Sequence, residues 1–127
     1  MGVIAQLSRD IELNNVNVVP SPNTGRIISI TADATHYVNC AGYIRMIGCT
    51  FCNQKDDATN IHGLYMAVDE ILAPDKVVFK WRNSGQYGVD FLEPGMKVEL
   101  VDNKSVVTKC YAVVKEVERL NKITTIF

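Results

Sequence analysis

The stretch QKDDATNIHG, residues 54–63, sets two acids side by side, Asp56 and Asp57, and ends on His62 and Gly63. Adjacent carboxylates repel, and alone they read as a charged turn left to solvent. The upstream segment TADATHYV, residues 31–38, changes that reading: Asp33-Ala34-Thr35 returns as Asp57-Ala58-Thr59 at a spacing of 24. A second echo accompanies the first. IELNNVNVV (11–19) lies over IRMIGCTFC (44–52), with Ile11 over Ile44, Leu13 over Met46, Val16 over Cys49 and Val18 over Phe51, at an offset of 33. The two offsets differ by nine, and PSPNTG (20–25), with two prolines, an asparagine and a glycine, is the loop composition that absorbs the surplus.

Short Val- and Ile-rich strands separated by Asn and Gly corners, repeating at roughly two dozen residues, read as a parallel β-helix or similar solenoid. A doubly wound α/β domain would need helices of roughly ten or more residues between its strands, and the chain has no such pattern. After His62 the texture changes. LYMAVDEIL (64–72), KVVFKW (76–81), YGVDFL (87–92), MKVELVD (96–102), CYAVVKEVERL (110–120) and ITTIF (123–127) are six strand-like runs, punctuated by APD (73–75), NSG (83–85), EPG (93–95) and DNK (102–104). The expected fold is therefore all-β: parallel β-helix coils over residues 1–63, then a small antiparallel β-barrel over residues 64–127, with helix almost absent.

A chain of 127 residues with 47% hydrophobic content suffices for one ordinary domain or for part of something larger. Its net charge of −1 and lack of any Lys/Arg run argue against nucleic acid or an anionic membrane as a partner. No apolar run approaches the roughly eighteen residues of a membrane span, and the start MGVIAQLSRD has no export-signal order. Cys40, Cys49, Cys52 and Cys110 do not make a disulfide framework. Cys49 and Cys52 form a C-x-x-C, but zinc asks for two further donors, and Cys40 and His62 are irregularly spaced for that. The cysteines read as small buried residues, and no metal is expected.

In stacked coils, equivalent positions lie one strand spacing apart, about 4.8 Å. Asp33 and Asp57 are thus expected on one face, each raising the other's proton affinity so that one can hold a proton while the other stays ionised. Glycoside hydrolysis asks for that division of labour. Asp56 points away from Asp57 in a regular strand, so only a corner or bulge brings both into one cleft.

SITADATHYVNC (29–40), GCTFCNQKDDATNIHGLY (48–65) and the preceding LNNVNVVPSPNTGRIISI (13–30) together resemble glycoside hydrolase family 110, the exo-acting α-1,3-galactosidases of gut and marine bacteria. The resemblance runs across the whole chain. It implies a right-handed parallel β-helix with inserted β-barrel domains, removal of terminal galactose from galactose-terminated glycans with inversion, no metal or other cofactor, and a periplasmic or extracellular location. It also implies catalytic roles for Asp33, Asp56 and Asp57. An inverting acid and base stand roughly 6.5–9.5 Å apart, and stacking sets Asp33 and Asp57 closer than that. Asp56 is therefore read as the general acid, with Asp33 and Asp57 activating water. His36, Asn60 and His62 are read as sugar-hydroxyl contacts, the alternative for each being a satisfied structural polar residue at a coil corner.

Whole enzymes of the family are several times longer, so the chain corresponds to an internal piece of the catalytic region. Its exposed coil edges invite pairing with a second copy, giving a homo-oligomer. Trp81, Arg82 and Tyr87, around SGQYG, have the chemistry to stack on a sugar, but core packing is the favoured reading. Two other classes compete with the glycosidase: a calcium-dependent β-helix polysaccharide lyase, since carboxylates suit calcium, and a non-catalytic oligomerising fragment.

Overall fold

Thr35–Val38 and Thr59–His62, which end the two copies of the doubled phrase, are neighbouring parallel strands in a computed structural model that describes residues 1–126. Phe127, the last residue of the expected ITTIF strand and barrel domain, lies outside the described residues. The chain divides into two units, Met1–Leu64 and Tyr65–Phe127.

The first unit makes three short strands, β1 (Val3–Gln6), β2 (Arg9–Asn14) and β3 (Asn17–Val18). It then repeats them as β4 (Thr35–Val38), β5 (Ala41–Ile47) and β6 (Thr50–Phe51), and begins a third pass at β7 (Thr59–His62). Equivalent strands pair in parallel, giving the sheets β1-β4-β7, β2-β5 and β3-β6. The register follows the sequence echoes: Thr35 faces Thr59, Ile11 faces Ile44, Leu13 faces Met46 and Val18 faces Phe51. Residues 19–34 separate β3 from β4 and residues 52–58 separate β6 from β7, which accounts for the nine-residue surplus of the first pass. The longer connection rejoins the shorter one before β4. Ser29 donates its N–H to the Asn53 carbonyl at 3.0 Å and its hydroxyl to the Cys52 carbonyl at 2.7 Å, while the Lys55 N–H reaches the Ile30 carbonyl at 3.0 Å.

Sharp corners between these strands need left-handed residues, and the chain supplies them in stacked pairs. Leu7 and Asn39 both have φ of 50°, and Asn15 (54°) lies beside Gly48 (61°). The ladder continues through the corners, since the N–H groups of Leu7, Asn15 and Asn39 donate to the carbonyls of Val38, Ile47 and His62 at 2.8–3.0 Å. Asn tolerates this conformation better than most residues and Gly adopts it freely. The core of this unit is small: Ala34, Thr35, Tyr37 and Val38 of the middle pass are buried. Burial ends with β7, where Ile61 is 59% exposed although its neighbour Tyr37 is wholly covered, because β7 is the edge of its sheet. Cys40, Cys49 and Cys52 are half-buried and Cys110 is exposed, so the expectation of buried cysteines is corrected. The Cys40 and Cys49 thiols lie within 3.5–3.7 Å of corner carbonyls.

The second unit is antiparallel throughout. β8 (Met66–Ala73) turns through Pro74 and Asp75 into β9 (Lys76–Trp81), and a single 3-10 turn follows at Ser84–Gln86. β10 (Lys97–Val101) pairs with β11 (Thr108–Val113), while β12 (Glu118–Arg119) and β13 (Thr124–Ile126) join the first hairpin in the order β12-β13-β9-β8. Val78, Phe79, Trp81, Val114, Thr125 and Ile126 are its buried residues.

Two expectations are corrected here. YGVDFL is not a strand: Gly88, at φ 89°, donates its N–H to the Lys122 carbonyl at 2.7 Å, and a left-handed residue ends extended pairing. CYAVVKEVERL is broken between β11 and β12. Among the described residues the antiparallel strands pair in two groups, β10-β11 and β12-β13-β9-β8. The connection between β10 and β11 is organised by Asp102, whose Oδ1 accepts from the N–H groups of Lys104 and Ser105 and from the Ser105 hydroxyl at 3.0–3.1 Å. These bonds favour the charged form and hold its carboxyl below the usual aspartate range.

Candidate active site

Asp33 and Asp57 each precede an equivalent strand by two residues, and the ladder begins at them. The Ala34 N–H donates to the Asp57 carbonyl at 2.9 Å, and the Thr35 N–H to the Ala58 carbonyl at 3.2 Å. One rung further in, the Thr35 hydroxyl lies 3.2 Å from the Ala58 carbonyl and 3.0 Å from the Thr59 hydroxyl, which pins the register. Residues 52–58 are not a strand, so Asp56 and Asp57 are released from the alternation that would send them to opposite faces. The Asp57 N–H donates to Asp56 Oδ1 at 3.2 Å. The result is a gathering in which one oxygen from each of Asp33, Asp56 and Asp57 lies within 4.8 Å of the others. That is closer than the roughly 6.5–9.5 Å expected between an inverting acid and base.

The three carboxyls have different surroundings. Asp33 is 4% exposed, whereas Asp56 and Asp57 are exposed. His36, three residues on, lays its Nδ1 against Asp33 Oδ2. That hydrogen bond holds the Asp33 carboxyl below the usual carboxylate range; burial opposes it, while the His36 charge, the Asp57 N–H and the chain's amino terminus act in the same direction as the bond. The raised proton affinity expected from stacking is therefore corrected at Asp33, where the His36 contact outweighs the effect of burial.

His36 also reaches across the sheet. Its Nε2 lies 2.9 Å from Nε2 of His62, with the two rings edge to face, 4.9 Å between centroids and 79° between planes. Nδ1 of His62 lies 2.7 Å from the Gly63 carbonyl. All four imidazole nitrogens thus have protein partners, which is the structural-polar alternative to sugar contact. Asn60 is placed differently: its Nδ2 donates to Asp57 Oδ2 at 3.4 Å, beside the acidic gathering. The His36–His62 contact had a faint signal in the sequence. His36 faces Asn60 in the register, and His62 is two residues further along the same face of β7.

Among the described residues, the three carboxylates are the one set of three or more His, Cys, Asp or Glu atoms close enough to share an ion, and the C-x-x-C is not part of any such set. Exposed acids often gather without a cation, and Asp33 already faces the His36 ring, so no ion is assigned. In the second unit Trp81 is 3% exposed and packs on Phe91 with centroids 5.4 Å apart, which makes it a core residue. Arg82 and Tyr87 are exposed.

Residues 76–127 match the family described as GLAA-B β-barrel domain II. Over 103 residues the chain is 45% identical to α-1,3-galactosidase A of Shewanella woodyi, an overlap covering 81% of this chain and 17% of that protein. Over 111 residues it is 32% identical to α-1,3-galactosidase A of Bacteroides thetaiotaomicron, covering 86% of this chain and 20% of that protein. It is 26% identical to α-1,3-galactosidase B of the same organism across 96% of this chain and 20% of that protein. The chain spans about a fifth of the length of the curated relatives it matches.

Proposed function

Because the chain is related in sequence to one segment of the α-1,3-galactosidases, we propose that it forms part of a glycoside hydrolase, of family 110, that releases terminal α-1,3-linked galactose from glycans. The repeated parallel strands of residues 1–63 serve as coils of a parallel β-helix in this reading, and residues 64–127 as an adjoining β-barrel domain. The observation that carries the proposal is the gathering of Asp33, Asp56 and Asp57 within 4.8 Å, with Asp33 buried and the other two open to solvent.

Cleavage of a glycosidic bond needs an acid to protonate the departing oxygen and a carboxylate to activate water. Asp56 supplies the proton, Asp33 and Asp57 form the base site, and Asn60, held at Asp57, meets a sugar hydroxyl. Inversion requires the acid to stand off from the base site far enough to admit water, about 6.5–9.5 Å between carboxyls. The exposed Asp56 side chain, bonded to the local Asp57 N–H, swings outward to a bound sugar and opens that gap.

The test is galactose release from an α-1,3-galactosyl disaccharide by the full-length protein and its Asp56→Asn and Asp57→Asn variants. A fall of roughly 10²- to 10⁴-fold in each is expected, with unchanged circular dichroism and with activity retained in EDTA. Full turnover in both variants would return the acids to the status of a charged turn. Activity abolished by EDTA would favour cation-dependent polysaccharide cleavage instead.

A further inference from the structure

We propose that Asp33, His36 and His62 share three hydrogen-bonding protons, one more than two neutral imidazoles supply, so that a histidine cation keeps Asp33 ionised and fixed. His36 and His62 are then positioning residues of the base site. This rests on the reading of Asp33 as part of that site.

The proton count follows from the far end of the chain of contacts. The Gly63 carbonyl can only accept, so His62 Nδ1, at 2.7 Å, donates to it. With that proton on Nδ1, Nε2 of a neutral His62 carries a lone pair, and Nε2 of His36, at 2.9 Å, must donate to it. A neutral His36 would then turn the lone pair of Nδ1 toward Asp33 Oδ2, two acceptors in contact with no proton between them. A third proton is required there. The proton between the two Nε2 atoms can sit on either ring without altering the count, and attraction to the carboxylate draws the positive charge to His36, the ring touching Asp33.

The surroundings support the charge. The Asp33 and His36 side chains are 5% and 13% exposed, so solvent does little to screen their attraction. On the β7 side His36 faces Asn60 and His62, on the β1 side it faces Ile4, and the other titratable groups near Asp33 are Asp56, Asp57 and the chain's amino terminus. The base-site carboxylate of Asp57 beside the pair favours retention of a cation. With Oδ2 held by His36, Asp33 has Oδ1 left to orient the water. Asp57 takes the proton as the water oxygen bonds to the sugar carbon, and the departing oxygen leaves with the proton of Asp56.

The chain contains two histidines, so long-range proton–nitrogen correlation spectra of the histidine-labelled protein near neutral pH read the count directly. The expected result is protons on both nitrogens of His36 and on Nδ1 of His62. A bare nitrogen on His36, or a His62 proton found only on Nε2, overturns the proposal. In Asp33→Asn, His36 is expected to lose the extra proton under the same conditions, and its retention would remove Asp33 from the argument. Should that variant fail to fold, His62→Gln serves in its place: His36 keeps both protons, donating to the amide oxygen, and loss of one counts against the proposal. In the full-length protein, His36→Gln is expected to lower kcat at unchanged KM and move the acid limb of the pH profile to higher pH. A raised KM with an unmoved limb would make His36 a sugar contact. The spectra need no turnover, so an inactive protein with the expected protons would defeat the glycosidase reading while leaving the proton count standing.

Discussion

Asp33 and Asp57 stand on adjoining rungs of one parallel ladder: the N–H that follows Asp33 donates to the Asp57 carbonyl at 2.9 Å, as the Gly2 N–H donates to the Asp33 carbonyl at 3.1 Å. Repetition in the sequence has become translation in space. A slip of one residue would turn the strand's side chains to opposite faces.

Acid should weaken the first unit through Asp33. Its folded carboxyl is held below the ordinary aspartate value, first by the His36 hydrogen bond. A depressed folded value contributes stability that is present above about pH 3.9 and lost as pH falls through the folded value. Thermal melts of the protein and of Asp33→Asn should therefore differ most toward neutral pH and converge in acid. A gap that stays constant across that range would mean that ionised Asp33 adds nothing to stability.

The stacked corner of Asn15 and Gly48 should resist any added side chain. Gly48 has φ 61°, and a Cβ there would come 2.4 Å from Asn15 Oδ1. Gly48→Ala is expected to cost about 1–2 kcal/mol from the left-handed backbone alone, plus the displacement of Asn15. Gly25, at φ 69°, has nothing within 4 Å of such a Cβ, so Gly25→Ala should carry only the backbone cost. Equal losses in urea unfolding of the two variants would show that the corner contact is immaterial.

Trp81 is the single tryptophan, 3% exposed and packed on Phe91. Its fluorescence should resist quenching by acrylamide and should not change on addition of galactose. Trp81→Ala should cost about 3–5 kcal/mol, as large-to-small core changes do, whereas Arg82→Ala should stay within about 0.5 kcal/mol. Strong quenching in the native protein would contradict the core assignment.

Self-association should proceed through the first unit. β7 is a sheet edge, Ile61 on it is largely exposed, and Ile47 at the end of β5 is exposed too. Unpaired edges beside apolar side chains favour pairing with another chain. Light scattering should report a mass that grows with concentration and falls in Ile61→Lys. A stable monomer at high concentration would count against this.

The sequence by itself determined the repeated register of the first unit. An offset of 33 pairs Ile11 with Ile44, Leu13 with Met46 and Val18 with Phe51, and an offset of 24 sets Asp33 beside Asp57, as in the folded chain. In stacked parallel strands each residue meets its equivalent one pass away, so contacts follow from a count along the chain. The tertiary structure decided what does not translate. Asp56 joins the other carboxylates because residues 52–58 leave regular strand geometry, and His36 meets His62 rather than its register partner Asn60 because long side chains can reach diagonally across a sheet. In the second unit, the left-handed Gly88 removed YGVDFL from the sheet. Antiparallel pairing depends on turn geometry and on which edges meet in space, and a pattern of alternating residues carries neither.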